Sequence, residues 1–176
     1  MTNTTSTNYL EYAGIVTLSQ RAGNKKINIA KVHNAGGLPL FNFFADCLLG
    51  DFNLAILNRP AKIMLLKISE DEDTGIVSIN KATESGFRPL LNVPEKLNYS
   101  DKSAIRYSFM VPYDVVSGTT FNAIGLYPAS ATEAQSDIEN PAAYCTLNLA
   151  KTSISRSSAL LIDWELYISN KQTVKG

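Results

Sequence analysis

Two carboxylates, Asp163 and Glu165, flank the chain's single tryptophan in the segment SALLIDWELYIS, a spacing that could support acid–base chemistry. On a β-strand, residues two apart share a face, with Cβ atoms roughly 6.5–7 Å apart. Glycosidase carboxylates are separated by roughly 5–10 Å, but they usually come from different strands around a cleft. We therefore interpret both acids as the solvent-exposed face of a strand whose other face is a core stripe, formed by Leu160, Ile162, Trp164, Leu166 and Ile168.

The only histidine, His33, ends the segment KINIAKVH and points to the side of Ile27 and Ile29 if the alternation holds. No HxH or HxxxH pattern and no nearby Cys/Asp cluster accompanies it, so a zinc site would lack ligands. A surface or hydrogen-bonded histidine is the favoured interpretation. Sequence spacing does not exclude a Ser-His-Asp triad, because its members can be distant in sequence. However, no G-x-S-x-G turn is present to expose a serine.

The acidic run Glu70–Asp73, followed by Thr74 and Gly75, could attract a cation. It lacks the glycine and glutamate positions of an EF-hand loop, so we predict a β-hairpin turn, with an adventitious cation site as the alternative. Neither a GxxxxGK[ST] loop nor a GxGxxG turn is present. We accordingly expect no cofactor, no metal and no enzymatic activity.

The composition is that of one globular domain. The 176 residues are 45% hydrophobic and 18% charged, with 16 basic and 16 acidic side chains. This balance gives no reason to expect binding to nucleic acid or to an anionic membrane. No apolar run approaches the roughly 18 residues of a membrane span, and the first residues do not resemble a signal peptide. Cys47 and Cys145 lie among apolar neighbours and are predicted to be buried thiols.

Alternation with a period of two recurs along the chain and predicts about eight strands. The fold class is therefore all-β: an antiparallel β-sandwich, jelly-roll-like, with one short helix. The helix is predicted at 39–49, between Gly36-Gly37 and Gly50, where one helix face is formed by Leu40, Phe43, Phe44, Cys47 and Leu48. We expect it to cap an open end of the sandwich. The strand segments are LEYAGIVTLS, KKINIAKVH, AKIMLLKIS, GIVSINK, IRYSFMVPY, TFNAIGLYP, AYCTLNLA and SALLIDWELYIS.

Two loops, one aromatic strand face and the two chain ends can also be interpreted from the sequence. Residues 82–103 are predicted to form a long ordered loop, and 129–142 a long hairpin connection. Tyr107, Phe109 and Tyr113 fall on one strand face, which favours core packing over sugar stacking. A polar N-terminal arm (1–9) and a short polar C-terminal tail (170–176) should fray unless a neighbouring subunit holds them. We therefore expect the protein to function as a subunit of a larger assembly.

The C-terminal third resembles virion structural proteins of tailed bacteriophages, especially the attachment domains of tail-collar and tail-fibre proteins. In those proteins a strand ending in (E/A)-I-G-L-(Y/F) leads into a hairpin, the returning strand ends at a lysine, and a final strand alternates around a tryptophan. The matching segments are FNAIGLYPAS, CTLNLAKTS and LLIDWELYIS, in the same order across roughly residues 105–169. The residues that carry the resemblance are Gly125, Leu126, Tyr127, Lys151 and Trp164.

Three structural expectations accompany these motif residues. Gly125 suits a bulge or a close backbone approach at the end of its strand. Leu126 and Trp164 are candidates for one core. Lys151 would cap strand-end carbonyls, pair with a neighbour or be solvated.

The resemblance implies a non-enzymatic subunit of the collar, tail or baseplate region, made in the host bacterial cytoplasm and located in the virion. Its partners would be copies of itself and other virion proteins, with no small-molecule substrate. The chain stops soon after Trp164, where such fibre proteins continue into a shaft and tip, which favours a compact assembly adaptor. The alternatives are a capsid-decorating or head-fibre-base protein, a carbohydrate-binding module for host recognition and, least favoured, a hydrolase.

Overall fold

The computed structural model describes residues 5–22, 24–82, 86–100, 102–148 and 158–175. These residues form two antiparallel sheets that pack face to face, which confirms the predicted all-β sandwich. The first sheet has the strand order β2-β1-β11-β8-β7. Its strands are β1 (Thr5–Ala22), β2 (Lys25–His33), β7 (Glu95–Asn98), β8 (Ser103–Val111) and β11 (Leu160–Lys175).

The second sheet has the strand order β3-β10-β9-β4-β5, and β6 pairs with β4 beside this path. Its strands are β3 (Ala35–Gly36), β4 (Pro60–Glu70), β5 (Val77–Lys81), β6 (Arg88–Pro89), β9 (Ala123–Pro128) and β10 (Ala143–Thr146). All eight segments predicted as strands contain one. The short strands β3, β6 and β7 are additional, and β6 and β7 lie in the segment predicted as a long loop.

Four helices occur in the described part of the chain: α1 (Leu38–Leu49), α2 (Phe52–Asn58), α3 (Tyr113–Gly118) and α4 (Gln135–Ile138). The predicted helix 39–49 is α1, and the other three were not predicted. Gly50 ends α1 in the left-handed conformation, with φ 74°. Asp51 then caps α2 by accepting a hydrogen bond from the Leu54 N–H at 3.1 Å. Two helices therefore follow each other directly.

One core lies between the sheets and includes residues of both. Trp164 on β11 and Leu126 on β9 are fully buried in it, as expected for these two residues. The described side chains of the predicted β11 stripe are all buried, namely Leu160, Ile162, Trp164 and Leu166. A second, smaller cluster includes Met64, Leu66, Tyr127 and Ile138. There the Tyr127 hydroxyl donates to the Ile138 carbonyl at 2.8 Å.

Two predictions of burial were wrong. Tyr113 is 61% exposed, because β8 ends at Val111 and Pro112 begins a helical turn in place of further strand. Cys47 is exposed near the end of α1, whereas Cys145 on β10 is buried. The inward face of α1 therefore stops contributing to the core before Cys47. Burial raises the pKa of the Cys145 thiol to about 12.

The polar ends of the chain pair with each other. Residue Thr5 lies opposite Lys175, and the β1–β11 ladder continues without a break into the body. β2 joins β1 only from Ile15 onward, and β8 leaves β11 at Ile168. The outer parts of β1 and β11 thus form a two-stranded ribbon. A neighbouring subunit is not required to hold the backbone of residues 5–9.

Candidate functional site

The two carboxylates beside Trp164 do not form a reactive pair. Asp163 accepts a hydrogen bond from the Ser108 hydroxyl at 2.7 Å and an ion pair from Lys26, so both of its oxygens have partners. Lys26 reaches it from β2, across the intervening β1. Asp163 on β11 therefore links β2 and β8 across the outer face of the first sheet.

Glu165 is held in the same way. Its Oε1 accepts from the Arg106 guanidinium at 2.8 and 3.1 Å, and its Oε2 accepts from the Tyr99 hydroxyl at 2.8 Å. Arg106 also pairs with Glu95 at 3.3 Å. The hydrogen bond to Glu165 raises the pKa of Tyr99. The strand-face interpretation of the two acids holds, with the difference that both are ion-paired as well as partly solvated.

The other candidate residues also lie apart from one another. His33 is exposed at the end of β2, as expected for a surface histidine. The acidic run forms the predicted hairpin turn between β4 and β5, where Asp71 Oδ1 accepts from the Thr74 N–H at 2.8 Å. That bond lowers the pKa of Asp71. No cluster of metal-ligating side chains occurs among the residues that the structure describes, and those residues include no helix able to cross a membrane.

Of the five motif residues, four lie on β9 and β11, and Lys151 lies outside the described residues. Gly125 sits in a regular stretch of β9, opposite Met64 on one side and Tyr144 on the other, so the expected bulge is absent. A close approach to Gly125 does occur, but the approaching atoms belong to side chains and not to the backbone. A Cβ on Gly125 would lie 2.5 Å from the Tyr127 ring.

We expect Gly125→Ala to lower the free energy of unfolding by about 1–3 kcal/mol, because the new methyl overpacks the space under the Tyr127 ring. Urea unfolding measures this change. In a Tyr127→Leu background the additional cost should shrink, since the ring that meets the methyl is gone. An alanine variant as stable as the wild type would show that the ring does not enforce glycine here.

The feature that stands out is the helix pair. α1 has the sequence LPLFNFFADCLL and is apolar on both faces. Leu40 is buried in the core, and Phe43 and Phe44 pack against it. Four other large apolar side chains of α1 are exposed to solvent: Leu38 by 70%, Phe41 by 52%, Leu48 by 88% and Leu49 by 83%.

α2 contributes further apolar surface. Only Ala55 of this helix is buried. Phe52 is 70% exposed, and the side chains of Leu54, Ile56 and Leu57 are exposed by 46–53%. An aromatic side chain carries roughly 150–250 Å², so eight large apolar side chains, most of them more than half exposed, exceed the few hundred Å² of apolar patch usual for a monomer. We call the exposed apolar side chains of α1 and α2 the helical surface.

A groove of about 670 Å³ lies between the helix pair and the first sheet. Among the described residues, the charged side chains that line it are Arg59 and Lys96, and no carboxylate or histidine of that part of the chain lines it. Burial raises the pKa of its Tyr107 hydroxyl to about 12, so this group stays protonated at neutral pH. The lining residues are Phe43, Phe44, Phe52, Ala55, Ile56, Arg59, Pro60, Pro94, Lys96, Ser103, Ala104, Ile105, Tyr107, Leu166 and Tyr167.

The groove and the helical surface are predominantly apolar, which suits the binding of apolar partners. The sequence pattern predicted α1 but wrongly assigned Leu48 to its inward face, since Leu48 is 88% exposed. The available signal was the composition of residues 38–58, where Asp46 and Asp51 are the only charges among many large apolar side chains. A comparison with protein-family models, curated proteins and solved structures finds no match to this chain.

Proposed function

We propose that the chain is a non-enzymatic structural subunit of a tailed-bacteriophage virion, an assembly adaptor of the collar, tail or baseplate region. The observation that carries the proposal is the helical surface. Large exposed apolar patches are rare on monomeric proteins, yet α1 keeps Leu48 and Leu49 almost fully exposed in the isolated chain. A subunit that functions inside a particle resolves this conflict, because its neighbours cover the surface.

The terminal ribbon provides a second means of association. A two-stranded ribbon is marginally stable alone in water, and each of its outer edges presents unpaired backbone groups to another strand. β1 before Ile15 and β11 after Ile168 have such edges. The arm and tail therefore suit contacts that extend beyond the body of the subunit.

The charge balance is compatible with dense packing. Sixteen basic and sixteen acidic side chains give a net charge of zero, so identical copies do not repel each other over long range. The resemblance of the C-terminal third to phage attachment domains supports the proposal through its residues Gly125, Leu126, Tyr127, Lys151 and Trp164.

A carbohydrate-binding module is the second candidate, because Phe43, Phe44 and Phe52 line the groove together with two tyrosines. It ranks lower because sugar hydroxyls need hydrogen-bonding partners. Asp, Glu, Asn and Gln are all missing from the described lining of the groove. A glycan array with the purified chain tests this candidate separately.

The test of the proposal is the composition of particles purified from lysates of the producing host. We expect the chain in the particles in many copies, with immunogold label at the tail or collar. Label distributed over the head would favour the capsid-decorating alternative. A chain abundant in the lysate but missing from intact particles would overturn the proposal.

A further inference from the structure

The turn between α1 and α2 is an exposed apolar corner that carries one negative charge. We define the corner as residues 48–52. Leu48 and Leu49 are 88% and 83% exposed, and Phe52 is 70% exposed. Asp51 lies between Leu49 and Phe52 in sequence and is also exposed. Its cap to the Leu54 N–H uses one of several acceptor positions of the carboxylate, so the charge remains available to a partner.

The groove has the complementary character. Its lining is almost entirely apolar, and its two charges are the exposed cations Arg59 and Lys96. Within the described part of the chain neither side chain forms an ion pair. An apolar segment bearing a carboxylate would therefore match the groove in both polarity and charge.

We propose that the corner of one copy of this chain inserts into the groove of a second copy, with Asp51 facing Arg59 and Lys96 across the contact. This inference rests on the proposed function, because it names the surface through which the subunit associates with itself. A small amphiphile in the groove would leave Leu48 and Leu49 in water, whereas a second copy covers the groove and the corner together.

The positions of the corner and the groove on the subunit indicate a two-fold contact. Phe52 belongs to the corner and also lines the groove, so the inserting and the receiving parts lie on one patch. A two-fold interface uses the same patch on both subunits, and each residue contact occurs twice. Insertion is therefore reciprocal, and it closes at two copies.

Charge reversal tests the contact by sedimentation velocity. We expect Arg59→Glu and Asp51→Arg each to weaken self-association by about 100-fold or more, because like charges then face each other twice. An equimolar mixture of the two variants should restore a heterodimer, since both contacts regain opposite charges. Thermal unfolding of each variant checks that loss of the α2 cap has not unfolded the chain. A mixture that stays monomeric while both variants are folded overturns the proposal.

The thiol of Cys47 supplies an independent readout in the wild-type protein. Cys47 precedes Leu48 and is exposed, while Cys145 is buried. We expect labelling of Cys47 by a maleimide to slow several-fold as the protein concentration rises through the dimer dissociation constant. The Leu48→Gln/Leu49→Gln double variant should label at one rate throughout. A labelling rate independent of concentration in the wild type contradicts the contact.

Three further results would also overturn the two-fold contact: a wild-type monomer at all concentrations, growth beyond dimers, or native mass spectrometry showing a monomer with a bound amphiphile. Failure of the two-fold contact can be distinguished experimentally from failure of the proposed virion role. Presence of the chain in particles together with a monomer in solution rejects only the contact. A dimer that is missing from particles rejects only the virion role.

Discussion

Replacing Trp164 with alanine should lower the free energy of unfolding by about 3–5 kcal/mol. Trp164 is fully buried and heads the largest buried side chains of the described core. It lies on β11, between Val16 of β1 and Tyr107 of β8, at the centre of the first sheet. Its removal leaves a cavity that neighbours on both strands cannot fill. Urea unfolding, followed by circular dichroism, measures the loss.

Trp164→Phe is the matched control. The indole N–H has no hydrogen-bond partner among the described residues, so phenylalanine loses ring volume without leaving a buried acceptor of that part of the chain unpaired. We expect less than half of the destabilisation caused by alanine. An alanine variant within about 1 kcal/mol of the wild type would contradict the burial assigned to Trp164, since such a change is typical of a surface substitution.

Leu40→Ala should cost about 2–5 kcal/mol of folding free energy. Leu40 is the buried residue of α1 and belongs to the core between the sheets. It is thus the main attachment of the helix that carries the helical surface. The same urea measurement applies, and the loss of helical signal should accompany or precede the loss of sheet signal.

Leu48→Ala is the control on the same helix. Because Leu48 is 88% exposed, the substitution should change monomer stability by about 0.5 kcal/mol or less. It should nevertheless weaken self-association, because it truncates the corner. Equal destabilisation by the two substitutions would mean that α1 is not oriented with Leu40 inward.

Long strands such as β8 and β11 could be predicted from the sequence because they carry a period-two pattern, whereas the two-residue strands β3 and β6 are too short to show one. In β11 the buried positions from Leu160 to Leu166 alternate with partly exposed ones, such as Asp163 and Glu165. A long strand with one buried face leaves little freedom in register. The hairpins β4–β5 and β9–β10 followed from turn composition in the same way.

The helix pair could not be predicted in full because its pattern is nearly uniform. The spacing of Leu40, Phe43, Phe44, Cys47 and Leu48 places all five on one helix face. Leu48 in the last turn is nevertheless 88% exposed, so helical spacing alone could not tell where that face leaves the core. α2 is seven residues long, which is too short for a clear period. The groove depends on residues far apart in sequence, such as Phe52 and Tyr107, and their meeting follows only from the three-dimensional packing.

The ion pairs on the outer sheet face illustrate the same limit. Asp163 and Glu165 could be assigned to a strand face from spacing, but their partners could not. Lys26 is 137 positions from Asp163, and Arg106 is 59 positions from Glu165. Strand order decides which charges meet, and no local pattern in one sequence specifies it.

The central claim is that the helical surface is covered by association of the chain with itself. The most direct test is the native mass by light scattering, over a concentration series, for the wild type beside Leu48→Gln/Leu49→Gln. We expect the wild type to rise from the 19.2 kDa of one chain to twice that mass, while the double variant remains at the monomer mass. A wild type that stays at the mass of one chain at every concentration would contradict the claim.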